Sequence, residues 1–324
     1  MTPLERIQLA RVRLIRALAK HTVASRGTLE QKISDAGPFD QRIDPHLLTK
    51  ALSQLAQEGT IQRLEKNQMM WYHLSLTPPE VVNVRLAPQV QLHQLIQETS
   101  FTKRVGQSSE IAVFRALKAR QPFPFLGAFP DLDLHDDGQL FTKEEPPFTF
   151  SGNSIPGKKR FDFALISPEA GWAGIEVKNV RQWLYPNRDE IKELLLKSCA
   201  ANAIPVLIAR RIPFVTFKLL HACGGIIHQT YNQLFPTADT ALASRARDKN
   251  LLAYHDIRVG NEPDARLLKF IGDNLPQVLT EARWRLDEYK DILEQYATGT
   301  MPYAEFAARV RRRTQGRSED NDWE

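Results

Sequence analysis

Arg160-Phe-Asp-Phe-Ala-Leu-Ile166 and Trp172-Ala-Gly-Ile-Glu-Val-Lys178, joined by a turn over Ser167 to Gly171, decide how this chain is read. Both runs are short, apolar and rich in β-formers, which predicts a β-hairpin. Side chains alternate between the two faces of a strand. The first strand is therefore expected to place Phe161, Phe163 and Leu165 on one face and Asp162 on the other. In the second strand Glu176 and Lys178 lie two apart and share a face. A hairpin brings Asp162 toward them, so two carboxylates and one ammonium meet at the end of a mostly apolar sheet.

That group suits phosphodiester hydrolysis. Two hard carboxylate oxygens can hold Mg²⁺, with Mn²⁺ as a substitute, while the ion keeps waters and takes up a phosphate oxygen. The metal acidifies a bound water and stabilises charge in the transition state. A neighbouring lysine can orient that water, help to deprotonate it, or neutralise the developing phosphorane charge. The main-chain carbonyl of Val177 is expected to face the same ion as a further ligand.

Asp162, a thirteen-residue gap and Glu176-Val-Lys178 resemble the Asp…(Asp/Glu)-x-Lys motif of the PD-(D/E)XK nuclease superfamily, the restriction-endonuclease-like fold. By that resemblance Asp162 matches the metal-bridging aspartate, Glu176 the second metal ligand and Lys178 the catalytic lysine. Phe161 stands where the motif's proline would be. Many members carry a glutamate on the helix before the core strands, and Glu110 fits by order as a further catalytic and metal-binding residue. Lys197 lies where members often place an extra lysine or glutamine facing the site.

Downstream residues agree with that fold. Helices are expected over Arg188–Ala201 and Phe214–Ala222, and strands over Pro205–Ala209 and Gly225–Gln229. Strand, strand, helix, strand, helix, strand is the superfamily's α/β core, and the resemblance covers about residues 100–235. Asn179, Arg181, Arg210 and Arg211 follow strand ends, where phosphates could be contacted.

Working toward the N-terminus, Leu4 to Leu18 has helical periodicity. Thr28 is read as the cap of a helix over Leu29–Asp35, closed by Gly37-Pro38. Asp44-Pro45 opens a third helix that Gly59 stops, and two strands, Thr60–Leu64 and Met69–Leu74, follow around a turn at Glu65–Gln68. Three helices and a hairpin resemble a winged helix-turn-helix domain, whose third helix would enter a DNA major groove. Lys50 and Gln54, one turn apart, are the expected base or phosphate contacts. Arg63 and Lys66 on the wing are expected to hold phosphates.

The reading is thus a winged helix over residues 1–78 and an α/β, restriction-endonuclease-like domain over 79–240, with a mixed sheet flanked by helices. A mainly helical extension over 241–324 ends in an acidic tail from Ser318, expected to be disordered. In the extension Trp284, Leu286, Tyr289, Ile292 and Leu293 give one long helix an apolar face, and Arg309–Arg313 is basic. The chain has 324 residues, a net charge of +5 and two cysteines, which excludes a disulfide scaffold and fits a cytoplasmic protein. No apolar run approaches the ~20 residues of a membrane span, so no membrane partner is expected.

Three weaker signals are set aside. Gly152 to Lys159 nearly spells a phosphate-binding loop, but Lys159 stands where Ser or Thr should be, and a strand follows instead of a helix. His221, Cys223 and His228 lack metal spacing. Asp131, Asp133, Asp136 and Asp137 lack a calcium loop's downstream glutamate. The function expected is Mg²⁺-dependent cleavage of double-stranded DNA, in defence against or processing of foreign or mobile DNA. Cutting both strands would need a homodimer or a partner subunit. The competing readings are a winged-helix regulator with an inactive nuclease-like domain, or a subunit of a larger complex.

Overall fold

A computed structural model describes residues 1–34 and 41–317. The Gly37-Pro38 helix stop and the acidic tail from Ser318 lie outside the described residues. In chain order the first elements are α1 (Pro3–His21), β1 (Val23–Ser25), α2 (Arg26–Ile33), α3 (Pro45–Gln57), β2 (Ile61–Lys66), β3 (Met69–Leu74), α4 (Pro79–Gln97) and α5 (Thr99–Arg120). Next come β4 (Phe125–Leu126), β5 (Thr149–Phe150), β6 (Asn153–Ser154), β7 (Phe163–Ser167), β8 (Gly171–Lys178), α6 (Asp189–Ala201), β9 (Ile204–Ala209), α7 (Phe214–Ala222), β10 (Ile226–Gln229) and β11 (Gln233–Phe235). The remainder are α8 (Thr240–Arg247), β12 (Ile257–Val259), α9 (Ala265–Lys269), α10 (Leu275–Thr298) and α11 (Tyr303–Thr314).

The chain divides into two compact units. One comprises Met1–Thr102 with Asp239–Val259, the other Lys103–Ala238 with Gly260–Glu324. Residues 79–102, assigned from sequence to the second domain, thus group with the first unit. Most of the expected C-terminal extension is part of the second.

In the first unit Leu14, Leu18, Leu29, Leu48, Leu52 and Leu55 form a core beneath a three-stranded antiparallel sheet of order β1-β3-β2. Thr2 caps α1 in a reciprocal capping box with Glu5. Ser25, not Thr28, caps α2: its Oγ accepts from the Thr28 amide, so the helix starts three residues earlier than expected. Thr28 Oγ1 instead donates to the Leu252 carbonyl at 2.7 Å. Asp44 and Pro45 open α3 as read from sequence. The hairpin turn is only Asn67-Gln68, both at positive φ, so β2 runs on through Glu65 and Lys66.

The second unit holds a five-stranded mixed sheet of order β10-β9-β8-β7-β4. β7 is antiparallel to β8 and β4, whereas β8, β9 and β10 run parallel. Parallel strands need a crossover, and α6 and α7 supply them. β9 is buried along its whole length, as strands covered on both faces are. α10 packs on α6 and against the sheet, so its apolar stripe belongs to this core. Trp284 does not: it is 65% exposed. It lies two positions before Leu286, about 200° around a helix of 3.6 residues per turn.

Candidate active site

The β7–β8 hairpin forms in the expected register, with Phe163 opposite Ile175. Phe163, Leu165, Ala173 and Ile175 share one face, where Phe163 stacks on Phe114 of α5. Phe161 departs from the sequence reading. The chain bends before β7, and the Phe161 ring lies over Gly174 on the opposite face, near Phe150 and Lys197. A Cβ on Gly174 would stand 2.3 Å from that ring, so only glycine admits it.

The same bend releases Asp162 from regular alternation. Its amide donates to the Ile175 carbonyl at 3.0 Å, and its Oδ2 accepts from the Val177 amide at 2.7 Å. The N–H and C=O of one strand residue point to the same side. The main-chain edge of Val177, carbonyl included, therefore faces Asp162. Gly127, at φ +108°, brings the loop after β4 against the Asp162 carbonyl and the Phe163 ring, where a Cβ would be 2.7 Å from ring carbon.

The sequence-predicted residues Glu110, Asp162, Glu176 and Lys178 are brought together, and two further lysines join them. Lys178 Nζ donates to Glu176 Oε2 at 2.9 Å. Lys197, on α6, pairs with Glu176 Oε1 and donates to the Arg160 carbonyl at 2.9 Å. The Lys197 and Glu176 side chains are only 3% and 5% exposed. On the other side of Asp162, Lys143 Nζ lies 2.6 Å from both Asp162 Oδ1 and Glu110 Oε2. Sequence reasoning missed Lys143. It sits in a stretch without periodicity, and the pairing of Ala128 with Glu144 and a Gln107 clamp on Phe141 carry it to the site.

Charge balance controls protonation here. Burial, then the charge of Asp162, pushes the Glu110 carboxyl up to about 7 against the pull of Lys143. The same two causes raise Glu176. Burial alone would lower Lys178, but Glu176 and Asp162 outweigh it and hold the ammonium above its ordinary range. Lys143 is raised likewise, with burial opposed by Asp162 and Glu110.

No family model, no curated protein and no solved structure matches this chain. The chemistry therefore rests on the cluster itself. Among the described residues no three His, Cys, Asp or Glu side chains stand close enough to hold one metal ion. Lysines take up the carboxylates instead. Glu110, Asp162 and Glu176 are nonetheless hard oxygen donors of the kind a divalent cation takes, drawn from separate segments to one place.

Other candidates are structural. Asn179 donates to the carbonyls of Val105 and Leu234 and accepts from the Leu234 amide. Arg210 is buried and donates to the carbonyls of Val180 and Arg181. His228 stacks on Phe270, and Cys223 is buried. Asp131 and Asp137 accept from main-chain amides of Thr142 and of Thr237 and Ala238. In the first unit Lys50, Gln54, Arg63 and Lys66 are all exposed. Glu58, beside them in sequence, makes a two-pronged ion pair with Arg11, so its charge is already matched.

Proposed function

We propose that the chain is a divalent-metal-dependent DNA endonuclease of the restriction-endonuclease-like class, with its N-terminal helices and hairpin acting as a winged helix on duplex DNA. One observation carries this reading. Asp162 and Glu176–Lys178, with Glu110 from a distant helix, converge at one end of a mixed sheet whose order supports that class. Elements β7, β8, α6, β9, α7 and β10 follow in the order the motif resemblance implies.

Once the lysines give up these oxygens, Asp162, Glu176, Glu110 and the Val177 carbonyl would hold Mg²⁺, which supplies an acidified water and Lewis-acid charge. The chain's own residues do the rest. Lys197 fixes Glu176 Oε1 from behind, so Oε2, which accepts from Lys178, is oriented without cost at the moment of reaction. The Val177 amide fixes Asp162. Lys178 is the most open of the group, its side chain 29% exposed, and can meet a scissile phosphate. Its raised pKa favours a standing cation that orients the water and offsets phosphorane charge over a neutral base. Exposed Lys50 and Gln54 on α3 are the groove contacts, with Arg63 and Lys66 on the β2–β3 hairpin as phosphate contacts.

The competing reading, a DNA-binding subunit with an inactive nuclease-like domain, draws on the carboxylates being engaged by lysines. Supercoiled plasmid separates the two. Nicking or linearisation in Mg²⁺, stopped by chelator and lost in Asp162→Ala and Lys178→Ala while both still shift duplex DNA on a gel, supports the nuclease. Binding without cleavage by the unaltered protein in Mg²⁺ or Mn²⁺ supports the inactive subunit.

A further inference from the structure

The two lysines that the motif does not include are held in different ways. Lys197 is enclosed, with Glu176, the Arg160 carbonyl and Glu193 at 3.7 Å around its ammonium. It has nowhere else to go. Lys143 is more open, 15% exposed, and stands among the exposed residues Thr142, Glu144 and Glu145.

The backbone that carries Lys143 is pinned on both sides. Gln107 of α5 clamps Phe141 through both main-chain groups, at 2.9 and 2.8 Å. Asp131 accepts from the Thr142 amide at 3.0 and 2.9 Å. Glu144 exchanges both main-chain hydrogen bonds with Ala128, each 2.9 Å. Five hydrogen-bonding groups thus aim one short stretch at the site. The Lys143 ammonium passes 5.9 Å from the Phe163 ring centre and ends midway between two carboxylates from separate segments. A fixed backbone with a rotatable four-carbon stem can present this cation or withdraw it by rotamer change alone.

Its placement is where charge is needed. Glu110 and Asp162 are shielded carboxylates that repel each other. Without a cation between them the pair would be costly to keep ionised. A divalent cation and the Lys143 ammonium answer the same need, and both require the same oxygen lone pairs.

Resting on the reading of this cluster as a metal site, we propose that Lys143 is a built-in placeholder for the divalent cation. It holds Glu110 and Asp162 together in the metal-free protein and must release them before a cation binds, so it sets the metal affinity of the site. Once displaced, the ammonium stays tethered at the rim, within one side-chain length of where DNA phosphate would lie.

The test measures metal binding by the full chain, without DNA. Free Mn²⁺ is titrated by its electron paramagnetic resonance signal against unaltered protein, Lys143→Gln, Lys143→Met and Lys143→Arg. Removal of one charge-assisted competitor should tighten Mn²⁺ binding about tenfold in the Gln and Met variants, while Arg binds no tighter than the unaltered protein. Met retains the apolar stem and covers the case in which Gln fails to fold. Arg160→Gln sets the through-space baseline, because Arg160 pairs with Glu145 and touches neither Glu110 nor Asp162. A change no larger than that baseline, with Mn²⁺ binding still lost in Asp162→Asn, overturns the placeholder and leaves the metal site standing. Absence of Mn²⁺ binding in the unaltered protein and in the Gln and Met variants at millimolar concentration overturns both readings.

Discussion

Lys197→Met removes one partner from a buried carboxylate and leaves the other. The lost ammonium is 3% exposed and is enclosed by Glu176, a carbonyl and Glu193. Breaking such a pair costs about 3–5 kcal/mol. Glu176 keeps Lys178 at 2.9 Å, so the lower end, about 3 kcal/mol, applies. For a unit of this size that corresponds to a fall in Tm of roughly 6–12 °C. The pH dependence carries a sign. Burial and Asp162 already hold the Glu176 pKa above its ordinary 4.5, and losing Lys197 raises it further. A carboxyl whose folded pKa exceeds its unfolded value costs stability when ionised, and that cost vanishes as pH falls through the folded pKa. The deficit of Lys197→Met is therefore full at neutral pH and shrinks on acidification toward 4.5. Differential scanning calorimetry of the full chain across pH measures it, and adding Glu176→Gln should restore part of the loss. A deficit under about 1 kcal/mol, or one unchanged with pH, would refute a buried Glu176–Lys197 pair.

Gly174→Ala forces a methyl group against the Phe161 ring and should cost about 1–3 kcal/mol in chemical denaturation. Phe161→Leu in the same chain should recover part of it. Glu110, held near 7 by burial and Asp162, gives the metal-free protein a stability that rises as pH falls from 8 toward 6. Thermal melts of Glu110→Gln should lack that component. In the first unit Arg63→Ala and Lys66→Ala should each weaken duplex binding evenly across sequences and reduce the salt slope by about one, read by fluorescence anisotropy.

Legibility followed periodicity. β8, α6, β9, α7 and β10 lie within a residue of the sequence reading, because each is an uninterrupted apolar or amphipathic run, whereas β7 starts at Phe163, three residues after Arg160, because the chain bends before it. α3 was equally plain from Asp44-Pro45 and its leucines. The α2 cap was misassigned because Ser25 and Thr28 are both good caps, and the choice turned on Thr28 reaching a carbonyl more than two hundred residues away. α8, β11 and β12 are too short to leave a pattern. Within the site, Asp162, Glu176 and Lys178 were legible because strand alternation alone aligns Glu176 with Lys178. Glu110 followed only from element order. Lys143 had no local signal: a two-residue bridge and a glutamine clamp deliver it across a loop. Asn179 and Arg210 looked like phosphate ligands and are carbonyl clasps, since burial is invisible in a polar residue's identity.

The proposed function requires Asp162, Glu176 and Lys178 to cut a phosphodiester. The measurement is a time course of supercoiled plasmid in Mg²⁺, with unaltered protein and Asp162→Asn at equal DNA occupancy. Supercoiled DNA should disappear with unaltered protein, with no loss above the chelator control with Asp162→Asn. Equal cleavage by both proteins would contradict it, as would full occupancy by the unaltered protein with no cleavage in Mg²⁺ or Mn²⁺.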